Sequence, residues 1–216
     1  MVREEMEMHL RHIEACQEEI EWMLDAESRR LEARLRDEAA GMDDDAREQL
    51  YDWHQDTHWE LTELFPQIIR NSIFVMSYSF LEYGLFRLCM ILNQIRPTGI
   101  QVEDLRGRPI EQAQAYLTKA QGIAFPADAV QWRRIQRYRE LRNVIVHRNG
   151  RLHPEPKDQE VRRFIGENPN FAAIDRHVVS LRPAGCRDAI ASIRDVLRLV
   201  FNTALQHVTQ QSRSNS

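Results

Sequence analysis

The sequence predicts an all-α protein, a helical bundle with an N-terminal helical extension and a small β-hairpin near residues 171–182. Apolar residues recur at steps of three and four over long segments, as they do along one face of a helix. Only eight glycines and eight prolines interrupt the 216 residues, which leaves room for long helices. A hydrophobic fraction of 43% and a charged fraction of 29% are typical of a folded globular chain.

Residues 3–38 are predicted to form one long helix, because their apolar residues alternate at steps of three and four as in an imperfect coiled coil. These residues are Met6, Leu10, Ile13, Ile20, Leu24 and Leu31, and the seam is interrupted by Gln17, Glu27 and Arg34. Gly41 and the aspartates after it end this helix and cap the next, over residues 45–64. Pro66 predicts a break or a kink there, and residues 1–64 are expected to form an acidic helical extension.

Residues 65–209 are predicted to form the main helical domain, and residues 210–216 a disordered tail. Residues 67–95 include few polar residues, and this predicts a helix buried in a bundle or at a subunit interface. The other predicted elements are a loop over 96–109, a short helix over 109–121, a helix over 127–149, a loop over 150–170 with a short helix at 157–165, the β-hairpin, and a last helix over 186–209.

Charge is distributed unevenly along the chain. Residues 1–63 contain seven arginines and twenty acidic residues, a net charge of −13, whereas residues 131–163 carry a net charge of +6. A basic segment inside an acidic protein indicates a confined anion-binding surface rather than a general coat for nucleic acid. Two other interpretations stay open: the acidic and basic segments pack on one another, or residues 1–64 form a lid over the basic surface.

The sequence argues against several classes of protein. It has no apolar run close to the roughly 18 residues that cross a bilayer, so we expect no membrane association. Its N-terminus lacks the apolar segment of a signal peptide. Cys16, Cys89 and Cys186 lie far apart without metal-binding spacing, so neither a disulfide framework nor a zinc site is expected. We therefore predict a cytoplasmic protein that uses no cofactor or metal.

The strongest candidate for a functional site is the trio Arg142, Asn143 and His147, near the end of the helix over residues 127–149. A histidine exchanges protons near neutral pH, and an arginine binds phosphate and stabilises charge that develops on it. Metal-independent RNA cleavage needs both, with the ribose 2′-OH as internal nucleophile. Arg142 and His147 are about 140° apart around a helix, so one chain alone brings them together poorly. A two-fold dimer would gather both copies around one cleft.

Residues 140–150, with the sequence ELRNVIVHRNG, resemble the signature of the HEPN superfamily. That signature is an arginine, four to six further residues and a histidine, commonly with a polar residue directly after the arginine. The preceding segment, residues 77–85, has the mix of small, aromatic and acidic residues that is typical of the family. The resemblance covers about residues 65–209 and leaves out residues 1–64.

The resemblance implies a dimeric helical bundle and, as in many members, a metal-independent endoribonuclease of toxin–antitoxin, anti-phage or CRISPR-associated systems. It implies that Arg142 and His147 are catalytic, that Asn143 supports them, and that RNA, a second copy and an antitoxin or defence protein are partners. In one toxin subgroup a tyrosine two positions after the histidine is modified by a partner enzyme, but Asn149 stands there in this chain. Some members serve as scaffolds, so a non-catalytic dimerisation or RNA-binding function, regulated by the acidic segment, is the alternative.

Four more residues are predicted to contribute to the site. Glu82 is expected to orient His147 or to pair with Arg142, and an ordinary ion pair is the alternative. The residues predicted to bind RNA are Arg139, Arg148 and Arg151. A purely structural role also stays open, because arginine and histidine at a helix C-terminus favour its dipole.

His54 and His58 share a helix face at a spacing that can bind zinc. Gln55 stands where zinc proteases have a glutamate, so we predict a solvated helix face instead. Trp53 and Trp59 are predicted to pack in the core or between helices rather than to stack on bases.

Overall fold

Seven α-helices and one β-hairpin make up the part of the chain that the computed structural model describes, which is residues 2–154, 156–175 and 177–214. The elements are α1 (Val2–Glu38), α2 (Asp44–Trp59), α3 (Phe65–Ile95), α4 (Pro109–Ala115), α5 (Val130–Arg148), α6 (Gln159–Glu167), β1 (Phe171–Ile174), β2 (Val178–Leu181) and α7 (Pro183–Ser214). The strands are antiparallel, with Phe171 opposite Leu181. The helical class and the hairpin predicted near residues 171–182 are confirmed.

The centre of the bundle is α3, which packs against α1, α4, α5 and α7. Its large buried side chains are Ile73, Phe74, Tyr78, Leu81, Leu85, Leu88 and Leu92. Burying one such side chain stabilises a fold by about 1.5–3 kcal/mol, so this helix carries much of the core. The prediction that residues 67–95 form a buried helix is confirmed.

At Pro66, where the sequence predicts a break or a kink, the helix is not broken. A π turn over Glu60–Leu64 joins α2 to α3, so that Asp44–Ile95 is one continuous helix. A proline ring crowds the carbonyl four residues before it and has no N–H to donate, and the wider π turn relieves both problems. The predicted boundary after residue 64 therefore lies inside a helix.

The helix Asp44–Ile95 is also long and apolar enough, by length and composition alone, to cross a membrane. Of its most apolar 18-residue window, 44% is buried inside the bundle. A core helix meets the same criteria, and the fold is compatible with a soluble protein.

The long helix α1 packs along α3 and α7, with Met6, Leu10, Leu31 and Leu35 buried. The Gln17 side chain, which interrupts the apolar seam, is buried and donates a hydrogen bond of 2.9 Å to the Pro183 carbonyl. This bond explains how a polar residue fits the seam. The helix α1 is thus both the N-terminal segment of the described chain and a part of its core.

Three ion pairs fasten the acidic α1 to the rest of the bundle. They join Glu21 to Arg70 at 2.6 Å, Glu14 to Arg194 at 2.6 Å and Glu7 to Arg198 at 2.9 Å. The α1 carboxylates of these three pairs thus bind arginines of α3 and α7, which lie outside residues 131–163.

None of the residues of α2 is buried. The Trp53 side chain is 84% exposed and Trp59 is also exposed, so the prediction that these tryptophans pack in the core or between helices is wrong. The helix α2 lies beside α1 and directs His54 and His58 towards it. The His58 Nε2 lies 3.4 Å from the Glu32 Oε1. No cluster of three metal-ligating side chains occurs among the residues described.

The last helix is longer than predicted. The sequence predicts its end at residue 209 and a disordered tail over 210–216, but α7 continues to Ser214. Gln211 explains part of the difference, because its side chain accepts a hydrogen bond of 2.7 Å from Arg96 and contacts His207 one turn earlier. The last two residues of the tail lie outside the described residues.

Gly84 lies at a close contact between helices, because a Cβ atom there would lie 2.9 Å from Leu197 of α7 and 3.5 Å from Met6 of α1. We expect Gly84→Val to destabilise the protein by about 1–3 kcal/mol through overpacking. Gly166 in α6 has open space around it, so the control Gly166→Val should change stability by less than about 0.5 kcal/mol. Urea unfolding measures both, and equal effects would contradict the packing described.

Candidate functional site

The end of α5 is fixed by its own C-cap and by the hairpin. Asn149 and Gly150 have positive φ angles of 52° and 77°, and the Gly150 N–H donates to the Val144 carbonyl at 3.1 Å. These residues end the helix where the sequence predicts. The Gly150 carbonyl accepts a hydrogen bond of 2.9 Å from the Val179 N–H, so β2 holds the turn that follows His147.

Arg148 is engaged in the structure of the adjoining loop. Its guanidinium donates to both carboxylate oxygens of Asp158, at 2.5 and 3.0 Å, and the His153 N–H donates to the same carboxylate at 2.5 Å. Burial would raise the pKa of Asp158, but these hydrogen bonds outweigh it and hold that pKa below its ordinary value. Arg148, predicted to bind RNA, thus has its guanidinium committed to closing this loop.

Glu82, Arg142 and Asn143 line one groove between α3, α4 and α5, with a volume of about 410 Å³. Arg142 donates a hydrogen bond of 3.4 Å from Nη1 to the Asn143 Oδ1. Burial raises the pKa of Glu82, and the positive charge of Arg142 partly opposes that rise. Glu82 thus shares its groove with Arg142, whereas His147 does not line that groove.

His147 lies outside this groove, one turn further along α5, and its side chain is exposed. Val146 beside it is exposed as well, whereas Val144 and Ile145 are buried. One chain therefore does not bring Arg142 and His147 into a single cleft, as the angle between them around the helix predicts. Any chemistry that needs both groups requires a second surface.

The other two arginines predicted to bind RNA differ in their surroundings. Arg139 lines the groove and is held by Glu140 at 2.8 Å and by Glu111 at 3.6 Å. Arg151 is exposed, and within the described residues its side chain has no ion-pair partner. Of the three, Arg151 is the one whose guanidinium is open to a phosphate.

Sequence reasoning missed most of the groove. Its further lining residues are Tyr78, Arg108, Pro109, Ile110, Glu111, Gln114, Trp132 and Gln136. Tyr78 falls in the segment that resembles the family, and its burial raises the pKa of its hydroxyl. The residues of α4 carry no recognisable motif, so only the packing of α4 on α3 reveals them.

An apolar stripe runs along the exposed side of α3. It contains Phe65, Ile68, Met76 and Tyr83, of which Ile68 is 52% and Met76 46% exposed. A second cavity, of about 440 Å³, joins Ile68 and Met76 to Asn149 at the end of α5. The stripe is therefore continuous with the end of the helix that carries His147. Exposed apolar surface of this kind is typical of interaction sites.

No protein-family model matches this chain, and no curated protein or solved structure is significantly similar to it. What the chain does is therefore inferred from the chemistry of its own residues.

The Asp158 cluster gives a pH-dependent contribution to stability. Because the folded state lowers the pKa of Asp158 below its ordinary 3.8, the contribution is present above that value and is lost as the pH falls through the folded-state pKa. We expect Asp158→Asn to lower stability at pH 7 by about 2 kcal/mol, and the deficit should shrink in acid. The exposed Asp128 provides the control Asp128→Asn. Urea unfolding at pH 7 and in acid measures the stability of each variant. A deficit that is constant with pH would refute this account.

Proposed function

We propose that this chain is a metal-independent endoribonuclease of HEPN type, with a composite site at a homodimer interface and Arg142, Asn143 and His147 as its catalytic residues. His147 transfers the proton, Arg142 binds the scissile phosphate, and Asn143 orients Arg142 through its amide oxygen. The 2′-OH attacks the adjacent phosphorus, the 5′ oxygen leaves with a proton, and a cyclic phosphate end remains.

The observation that carries this proposal is the position of the Arg142 and His147 side chains. Arg142 is held by Asn143 beside Glu82, and His147 is exposed one turn away. An arginine that only capped the helix would bond to its last carbonyls, but Arg142 lies in the groove instead. The imidazole of His147 is exposed and has no ion-pair partner among the described residues, so a substrate can reach it.

The apolar stripe of α3 supports the dimer. A two-fold axis beside Ile68 and Met76 would pair the stripes of two copies and bring the ends of both α5 helices near the axis. Arg142 of one copy would then face His147 of the other across one cleft. We propose further that the protein acts in the cytoplasm in a toxin or anti-phage context, with an antitoxin or defence protein as partner.

The test of catalysis is cleavage of a mixed RNA pool in EDTA. Wild-type protein should cleave, and His147→Ala should lower the rate by about 10²–10⁴-fold, the usual contribution of a general acid–base group. Arg142→Ala should act similarly through the lost phosphate contact. The exposed His12 on α1 provides the control His12→Ala, which should keep full activity. Unchanged cleavage by His147→Ala would falsify the assignment.

Mixing two inactive variants tests whether the site is shared between copies. A heterodimer of Arg142→Ala and His147→Ala contains one intact site if arginine and histidine come from different chains, and none if they come from the same chain. With random exchange of subunits, a shared site should restore about one quarter of wild-type activity. Native mass spectrometry confirms that the heterodimer forms, and a heterodimer without activity would rule out the shared site.

The apolar stripe also favours a second candidate function, a non-catalytic dimeric scaffold that binds RNA or a partner. Met76→Glu should dissociate the dimer whether the protein is a nuclease or a scaffold. Leu205 on α7 is exposed too, at 65% against 46% for Met76, and provides the control Leu205→Glu, which should leave the dimer intact. Sedimentation measures the dissociation. A scaffold would bind RNA without cleaving it, and His147→Ala would leave that binding unchanged.

A further inference from the structure

The groove beside Arg142 contains hydrogen-bonding groups that the chain does not satisfy. Within the described residues, no group donates a hydrogen bond to the Glu82 carboxylate, and the side-chain amides of Gln114 and Gln136 have no partner. The Nε of Arg142 is buried and also has none there. The Arg142 Nε is withdrawn from water, whereas the Glu82 carboxylate and the two amides are only partly buried and stay accessible in the groove. Together these groups are suited to a ligand that brings both donors and acceptors.

The rest of the lining suits a flat molecule. Pro109, Ile110 and Trp132 form the apolar part of the groove, and Trp132 is itself held edge-on by Phe125 at a centroid distance of 4.7 Å. The volume of about 410 Å³ lies within the range of small-molecule sites. Unstacked RNA bases bind in such places, with apolar contacts on their faces and hydrogen bonds at their edges.

We propose that this groove binds a guanine base of single-stranded RNA, with Glu82 as the residue that selects it. The proposal rests on the proposed function, because it names the base recognised at the same site. A carboxylate offers two acceptor oxygens side by side. Guanine is the RNA base whose Watson–Crick edge presents two adjacent donors, N1–H and N2–H. Adenine, cytosine and uracil each place an acceptor beside their donor and would meet Glu82 unfavourably.

Neighbouring side chains complete the recognition. The amides of Gln114 and Gln136 can donate to the guanine O6 and N7, which a carboxylate cannot do. Arg142 lies in the same groove, so a base bound there brings an adjoining phosphate to its guanidinium. The base and its adjoining phosphate would thus be bound in the same groove. This would direct cleavage to phosphates next to a guanine.

The experiment measures binding separately from cleavage, with His147→Ala as the background protein. Fluorescence anisotropy gives the affinity for three labelled RNA hexamers, UUUUUU, UUAUUU and UUGUUU. The guanine hexamer should bind about tenfold more tightly than the other two, the usual discrimination of a paired contact to a base edge. Equal affinity for the three hexamers would overturn the proposal.

Two further variants assign the preference to the groove. Glu82→Gln keeps the shape but replaces one acceptor by a donor, so it should lower the affinity for UUGUUU to the level of UUUUUU or below it and so abolish the guanine preference. Gln136→Ala should weaken the guanine hexamer selectively as well. The control Glu167→Gln makes the same change on the exposed end of α6 and should keep the preference. A preference that survives in Glu82→Gln would place the recognition elsewhere.

The outcomes separate this proposal from the nuclease proposal. Guanine-selective binding with no cleavage by the wild-type protein would leave the base site standing and overturn the nuclease. Cleavage in EDTA at the same rate beside every base would support the nuclease and overturn the guanine site.

Discussion

The packing of α1 and α7 against α3 at Gly84 is the contact on which the rest of the arrangement depends. With no side chain at this position, Leu197 and Met6 approach the α3 backbone from two neighbouring helices. That contact fixes how α3 is rotated in the bundle. Glu82, two residues earlier, is consequently turned away from α1 and α7 towards α5, where it meets Arg142. Core packing and the chemistry of the groove are thus set by the same rotation.

Arginine is used for two different purposes in this fold. Arg70, Arg194 and Arg198 neutralise the carboxylates of α1 and so hold an acidic helix against the bundle. Such pairs contribute little to stability where they are exposed, and those of Arg70 and Arg194 are partly buried. In the basic segment, Arg148 instead closes a loop on Asp158, so its charge is already paired within that segment.

The sequence predicts the helices well because their apolar periodicity is long and regular, as in α1 and α3. At Pro66 a local proline rule predicts a break or a kink, but it cannot reveal that a π turn accommodates the ring inside one continuous helix. The prediction is wrong at Trp53, since a tryptophan on a helix indicates burial only when a second surface lies opposite. For the site, the motif supplies Arg142 and Asn143, but the contribution of α4 depends on tertiary packing that no spacing in the sequence reveals.

The exposure of α2 has a consequence for how this chain can change over evolutionary time. Because no residue of α2 is buried, substitutions along it cost the core almost nothing, while the π turn keeps the helix in a fixed direction from α3. Its surface can therefore vary freely at constant fold stability. Selection can remodel a protruding, acidic and tryptophan-bearing helix in this way without altering the residues around Arg142.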